Sequence, residues 1–307
     1  MLDHRRPRRR SWAVLATTIA LVLAGCGGGS PTTARPSHGV PDRVKVVDDV
    51  EELPSGQPPA LDVVLGSELL HGGRRIHLRL PADALFPTAL GTHDGTPIIS
   101  TGLGSQLFSV APDGRTTPLG GPHETYDHGP RLVPETGHVV LFDNDRGTAR
   151  STYTVLDAST GRELAVLRDT ATHQADLSGL DPHDRAVVDV VVGDDDPTDT
   201  VAAVSPDGSL TVTDTTDDPD DPASPTLLTV RAIGGGRATT LRFPTRTADL
   251  AFESDDAFLV AVAVAGDHTA SPERVVVRCT VRGDCERTTG ASAEVSIAGS
   301  GGVRLGG

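Results

Sequence analysis

A single lysine, Lys45, serves all 307 residues, and it stands ahead of the main body with no glycine-rich loop around it. That excludes Schiff-base chemistry, a phosphate-binding Gly-Lys-Ser/Thr loop and a Ser-x-x-Lys acylation centre. The one tryptophan is Trp12, near the N-terminus. The remaining aromatics are Phe86, Phe108, Phe142, Phe243, Phe252, Phe258, Tyr126 and Tyr153, too few for a platform that stacks sugar rings. No stretch keeps apolar residues at helical spacing over three turns, so a helix-rich architecture is excluded. The signatures Gly-x-Ser-x-Gly, His-x-His and His-Glu-x-x-His are absent as well, which leaves serine-hydrolase and zinc-peptidase chemistry without a motif.

What is present begins at the N-terminus. Arg5, Arg6, Arg8, Arg9 and Arg10 precede an apolar segment, Trp12 to Leu23, that is too short for a comfortable membrane span and ends in Leu23-Ala24-Gly25-Cys26. This arrangement resembles a bacterial lipoprotein signal of actinobacterial type. The resemblance implies removal of residues 1–25, diacylglycerol and further acylation such as palmitate on Cys26, and a membrane-anchored chain on the extracytoplasmic side. Arg9-Arg10-Ser11-Trp12 also resembles a twin-arginine signal, although any lipoprotein start needs positive charge and general secretory export is the expectation.

The segment before Cys26 carries five of the 27 basic and one of the 42 acidic residues, leaving 22 against 41 and a net charge of −19. So acidic a body repels phosphate backbones, and nucleic acid is excluded as a partner. With Cys26 lipidated, the other two cysteines stand as a pair in Cys279-Thr280-Val281-Arg282-Gly283-Asp284-Cys285. In an exported protein this reads as a disulfide across a hairpin. A zinc site is the alternative, with two thiols short of tetrahedral coordination.

Residues 26–59 mix Gly, Ser, Pro, Thr and charge and read as a flexible tether, with room for one short strand at Arg43 to Val47. From 60 to 307 the pattern changes to short runs rich in Val, Leu, Ile and Thr, broken every eight to twelve residues by Gly, Asp and Pro, an all-β signature. Turn glycines at 114, 161 and 208 recur every 47 residues, as do 236 and 283. A recurrence of this length matches a four-stranded propeller blade. The step from 208 to 236 breaks it, and is repaired if Pro206-Asp207-Gly208 is the first turn of its own blade. The units then fall near 82–123, 124–169, 170–197, 198–245 and 246–290, the third one short. A sixth joins the hairpin at 62–80 to a C-terminal hairpin, Ala293 to Ala298 with Val303 to Leu305. The expected fold is therefore an all-β propeller of about six blades, with five or seven allowed and a β-sandwich as the alternative. Tyr153 to Leu167 and Ser205-Pro206-Asp207-Gly208-Ser209-Leu210 resemble repeats of WD40-like and TolB-like propellers.

Eleven histidines are scattered, with His71 and His77 flanking one turn, His123 and His128 near a loop, and His93, His173 and His183 further apart. Acidic runs at Phe142-Asp143-Asn144-Asp145-Arg146-Gly147, at 193–199 and at 217–221 could hold Ca²⁺, but none has a full ligand set. No metal, cofactor or catalytic residue is assigned. The expectation is a non-catalytic, lipid-anchored binding or scaffolding module whose partner is an envelope protein or a small ligand. An envelope hydrolase or lyase on the same scaffold and a solute-binding lipoprotein of an importer are the alternatives.

Overall fold

Ala257-Phe258-Leu259-Val260-Ala261-Val262-Ala263 shows how the chain builds its sheets. Every second residue of a strand faces the same side, and here both sides are apolar: Phe258, Val260 and Val262 enter one core cluster while Leu259 and Ala261 enter another. A strand of this kind must lie between two packed neighbours. The computed structural model describes residues 43–102, 106–122, 129–145, 150–168, 180–185, 201–216, 224–233, 235, 238–264 and 272–299. All of these belong to one compact unit, 40–307.

The described residues form five sheets. Blade 1 is β21(Val295–Ile297), β2(Val63–Leu65), β3(Glu68–His71) and β4(Arg74–His77) in that spatial order. Blade 2 runs β5(Thr88–His93), β6(Thr96–Thr101), β7(Gln106–Val110), β8(Thr116–Leu119), and blade 3 runs β9(Arg131–Val133), β10(His138–Asp145), β11(Arg150–Asp157), β12(Glu163–Arg168). Blade 4 has β13(Val201–Val204), β14(Leu210–Thr216), β15(Thr226–Ala232), β16(Ala238–Phe243) and, beyond β16, the parallel strand β1(Arg43–Val46). Blade 5 is β17(Thr247–Ser254), β18(Ala257–Ala263), β19(Arg274–Thr280), β20(Cys285–Arg287). Apart from β1, neighbours in each sheet are antiparallel, and the first strands touch from blade to blade in the order β13, β17, β21, β5, β9. This is a propeller, and the sandwich alternative falls away because the strands form consecutive meanders in five sheets rather than two facing layers.

Four of the five core clusters lie between successive blades. One joins blades 4 and 5 through Leu228, Leu241, Phe243, Phe258 and Val277; others join blade 5 to 1, 1 to 2, and 2 to 3. The fifth covers the remaining face of blade 3, where Leu180, just before a helical turn at 182–185, packs on Val140, Phe142 and Tyr153. The second face of blade 4 differs, being lined by Thr211, Thr213, Thr229 and Thr240, with Thr229 and Thr240 sharing a hydrogen bond of 3.3 Å.

Four predicted intervals coincide with blades, and the C-terminal segment does complete the blade begun at 62: Val295 to Ile297 pair with Leu65 to Val63. Val303 to Leu305 lie outside the described residues, as does most of 170–197, so that short third unit is not among the five sheets described. The tether reading gives way from Arg43 onward. Val47 and Val50 are buried in the cluster between blades 4 and 5, with Leu53 against it, so 43–59 is part of the domain.

The glycine spacing also resolves. Gly114, Gly161 and Gly283 all occupy the turn between the third and fourth strands of their blades, at φ of +81°, +68° and +88°. Each presses on the preceding blade: a Cβ on Gly161 would lie 2.2 Å from the Leu119 carbonyl carbon, and one on Gly114 would lie 1.9 Å from the His77 oxygen. Gly208 sits instead in a first turn, with nothing within 4 Å, as the repaired register requires. Gly208→Ala should therefore cost only the left-handed strain, about 1–2 kcal/mol. Gly161→Ala should cost a further 1–3 kcal/mol or so, because backbone must move between blades. Urea unfolding of the two variants measures the difference, and equal costs would refute the shared register of Gly114, Gly161 and Gly283.

Candidate functional site

Pairing of Val63 with Leu70 carries one step further to set Asp62 across from His71 at the end of the β2–β3 ladder. The Asp62 carboxylate is 5% exposed and accepts hydrogen bonds from His71 Nδ1 at 2.7 Å and from Thr92 Oγ1 at 2.6 Å. Thr92 belongs to β5, so this trio ties blade 1 to blade 2. The same three residue types recur on blade 3. Asp184, 2% exposed on the helical turn, accepts from His138 Nδ1 at 2.7 Å and from Thr136 Oγ1 at 2.8 Å.

The two trios meet through His93. Its ring lies over the Cα of Gly137, where a Cβ would be 2.2 Å from Cε1, and Gly137 has φ +68°. Only glycine accommodates both demands. His71, Thr92, His93, Thr136 and His138 thus form one polar seam along the same end of blades 1 to 3. A carboxylate can only accept, so Nδ1 carries the proton in His71 and His138, and Nε2 is left as the nitrogen able to accept a proton or a ligand donor. Both rings are about a quarter exposed. Buried carboxylates orienting imidazoles in this way can serve a proton-transfer or ligand-binding surface, and here Asp62 also ties blade 1 to blade 2 while Asp184 ties the helical turn to blade 3.

The other candidates fall elsewhere. His77 is exposed at the end of β4, and His183 is exposed on the helical turn beside Asp184. Cys26, His123, His128 and His173, and the acidic runs at 193–199 and 217–221, lie outside the described residues. The run at 143–145 is strand rather than loop: Asp143, Asn144 and Asp145 pair with Thr152, Ser151 and Arg150. Among the described residues no group of three or more His, Cys, Asp or Glu is placed to hold a metal. Cys279 and Cys285 are joined in a disulfide across the Arg282-Gly283-Asp284 turn, which removes both thiols from any zinc site. Sequence reading missed Asp62, Asp184, Thr92, Thr136 and His138, since partners 9 to 48 residues apart carry no local pattern.

Two further aspartates show what the recurrent turn motifs do. In Asp157-Ala158-Ser159-Thr160-Gly161, the Ser159 hydroxyl followed by Thr160 and both backbone N–H groups holds the Asp157 carboxyl down to about 2. Asp207 is lowered in the same way by Ser205 and the Ser209 N–H. These carboxylates are turn caps. Asp214 behaves oppositely. Burial pushes its carboxyl up, against the opposing pull of the Thr247 and Thr216 hydroxyls and of Arg246.

Since the folded pKa of Asp214 lies above its unfolded value, the fold favours the protonated form, and stability is lost as pH rises through the folded pKa. Asp214→Asn should therefore melt higher than the parent at pH 7.5, with the gap narrowing at pH 4; thermal melts at both values decide. In the seam, His138→Ala leaves the buried Asp184 with one donor and should cost about 1.5–3 kcal/mol, against about 1 kcal/mol for a neutral surface hydrogen bond. Urea unfolding measures it, and an unchanged midpoint would show that the trio does not bind the helical turn to blade 3.

No family model matches the chain, and no curated protein matches it in sequence. Among solved structures, TolB from Acinetobacter baumannii is similar at 11% identity and a TM-score of 0.33, covering 75% of this chain and 51% of its own. A puromycin-hydrolyzing peptidase of Mycobacterium tuberculosis is similar at 13% identity and a TM-score of 0.27, covering 80% and 42%. A puromycin hydrolase gives 19% identity and a TM-score of 0.28, covering 78% and 39%. The chain spans about half the length of these structures or less. At such scores the propeller rests on the chain's own strand order and blade-to-blade packing.

Proposed function

We propose that the chain is a lipid-anchored extracytoplasmic propeller that acts as a binding or scaffolding module at the cell envelope. The anchor reading rests on Cys26 and the arginine-rich, apolar segment ahead of it. The binding reading rests on one observation above the others. Leu85 and Phe86 are 58% and 57% exposed on the link between blades 1 and 2, and Phe86 is held at φ +51°. A bulky residue in the left-handed region is strained, and strain that keeps two large apolar side chains in water is a mark of a contact surface. The pair precedes β5, so it lies at the opposite end of blade 2 from the His93 seam. The seam itself serves as inter-blade locking in this reading. The importer alternative has no support, since the described residues hold one helical turn and no α/β lobes.

Two experiments test the proposal. Cys26→Ser should move the protein from the membrane fraction to the soluble extracytoplasmic fraction; retention with the membrane would refute the anchor. A photoreactive phenylalanine at position 86 should yield discrete adducts on intact cells, and the same group at the exposed Arg162 should not. No adduct at 86 would remove the link loop as the contact surface.

A further inference from the structure

The mature chain has two cysteines besides Cys26, and they bridge the outer hairpin against which the N-terminal segment lies. That segment, residues 43–60, crosses blades 4 and 5 as a strap. At its start, β1 extends blade 4, Lys45 Nζ meets Asp284 Oδ1 at 2.6 Å in the hairpin turn, and the Lys45 stem and Leu241 close over Gly283. At its end, the strap hydrogen-bonds to β20: Arg287 N–H donates to Pro54 O at 2.9 Å and Gly56 N–H to Arg287 O at 2.8 Å. Gly56 lies directly on the Glu286 side chain, with no room for a Cβ.

Arg278 closes the clamp. Its guanidinium donates to Gln57 O at 3.3 Å and Pro58 O at 3.0 Å while paired with Glu253 at 2.5 Å and Glu286 at 2.7 Å. Glu253 also accepts from the Ala60 N–H. The Glu253 and Glu286 carboxylates raise the guanidinium's already high pKa, so its charge is permanent. The strap is therefore docked on a hairpin whose outer strand, β20, is three residues long and half-exposed throughout. The equivalent hairpins at Gly114 and Gly161 contain no cysteine.

We propose that the Cys279–Cys285 bond is a redox latch that holds the strap on blades 4 and 5. A dithiol reductant reaches the half-buried Cys285 Sγ and forms a mixed disulfide with it, expelling the Cys279 thiolate, which takes up a proton. The second thiol of the reductant then closes on the first and releases Cys285 as a thiol; the protein gains two electrons and two protons, and the dithiol becomes a disulfide. Without the bond β20 frays, and the backbone and Arg278 contacts of 54–60 go with it. Residues 54–60, seven in all, are thereby freed from blade 5, while Val47 and Val50 keep the start of the strap in the core between blades 4 and 5.

Hydrogen exchange read by mass spectrometry on the full-length mature protein, with and without dithiothreitol, tests the latch. Peptides covering Gly56 and Ala60 should exchange at least tenfold faster once alkylation confirms that the bond is open, while those covering Val47, β5–β7 and β10–β11 stay unchanged. The paired variant Cys279→Ser, Cys285→Ser should exchange like the reduced protein. Strap protection that persists with the bond open overturns the proposal, as does exchange of the whole ring together with the strap. In the oxidised protein, Arg278→Gln should speed exchange at Gly56 and Ala60 and leave Val47 protected; no change at Gly56 overturns the clamp. None of these readouts depends on lipidation, so failure of the anchor appears only in the fractionation of Cys26→Ser.

Discussion

A sheet that is apolar on both faces cannot be stable alone, and this constraint governs the molecule. In β18 and β19 alternate residues feed two different cores, so blade 5 needs a neighbour on either side. Burial of a Val, Leu, Ile or Phe side chain contributes roughly 1.5–3 kcal/mol, and the cores between blades collect dozens of such groups. Blades 1 and 2 are likewise packed on both faces, and the side-by-side order β13, β17, β21, β5 and β9 gives blades 5, 1 and 2 two partners each. The glycines at 114, 161 and 283 are a consequence: where one blade's outer turn meets the preceding blade, backbone approaches backbone at Gly114 and Gly161, and the Lys45, Leu241 and Thr239 side chains crowd Gly283.

Polar groups inside this packing have to be satisfied. Asp62 and Asp184 are nearly inaccessible, and each is met by one imidazole and one hydroxyl. The first trio ties blade 1 to blade 2 and the second ties the helical turn to blade 3, so both hold neighbouring elements together. The Nε2 positions of His71 and His138 are nonetheless oriented and partly exposed, so the seam is a prepared surface along one end of the blades. Leu85 and Phe86 mark the other end.

The strap places the N-terminal segment in the same physical account. Val47 and Val50 fill the core between blades 4 and 5, while 54–60 relies on hydrogen bonds to a short edge strand. Core burial and a covalently braced hairpin thus hold two halves of one segment by different means. That division allows one half to loosen without the other blades losing their packing.

Alternation of apolar residues, turn glycines and the paired cysteines made the strands, four blade intervals, the closure by Val295 to Ile297 and the hairpin disulfide legible from the amino-acid order, because each depends on neighbours within about ten residues or on a repeat. The strap has no local signature, since Pro54 to Pro59 has a linker's composition and its partners Arg278 and Arg287 lie more than 200 residues away. The seam was invisible for the same reason: nothing near Asp62 announces Thr92, and nothing near His138 announces Asp184. Local periodicity and turn chemistry determined the all-β repeat. Only the packing of blade on blade decided which carboxylates are buried, which imidazoles they orient, and that a proline-rich stretch becomes a docked strap, because those outcomes depend on side chains brought together by tertiary packing and not by chain order.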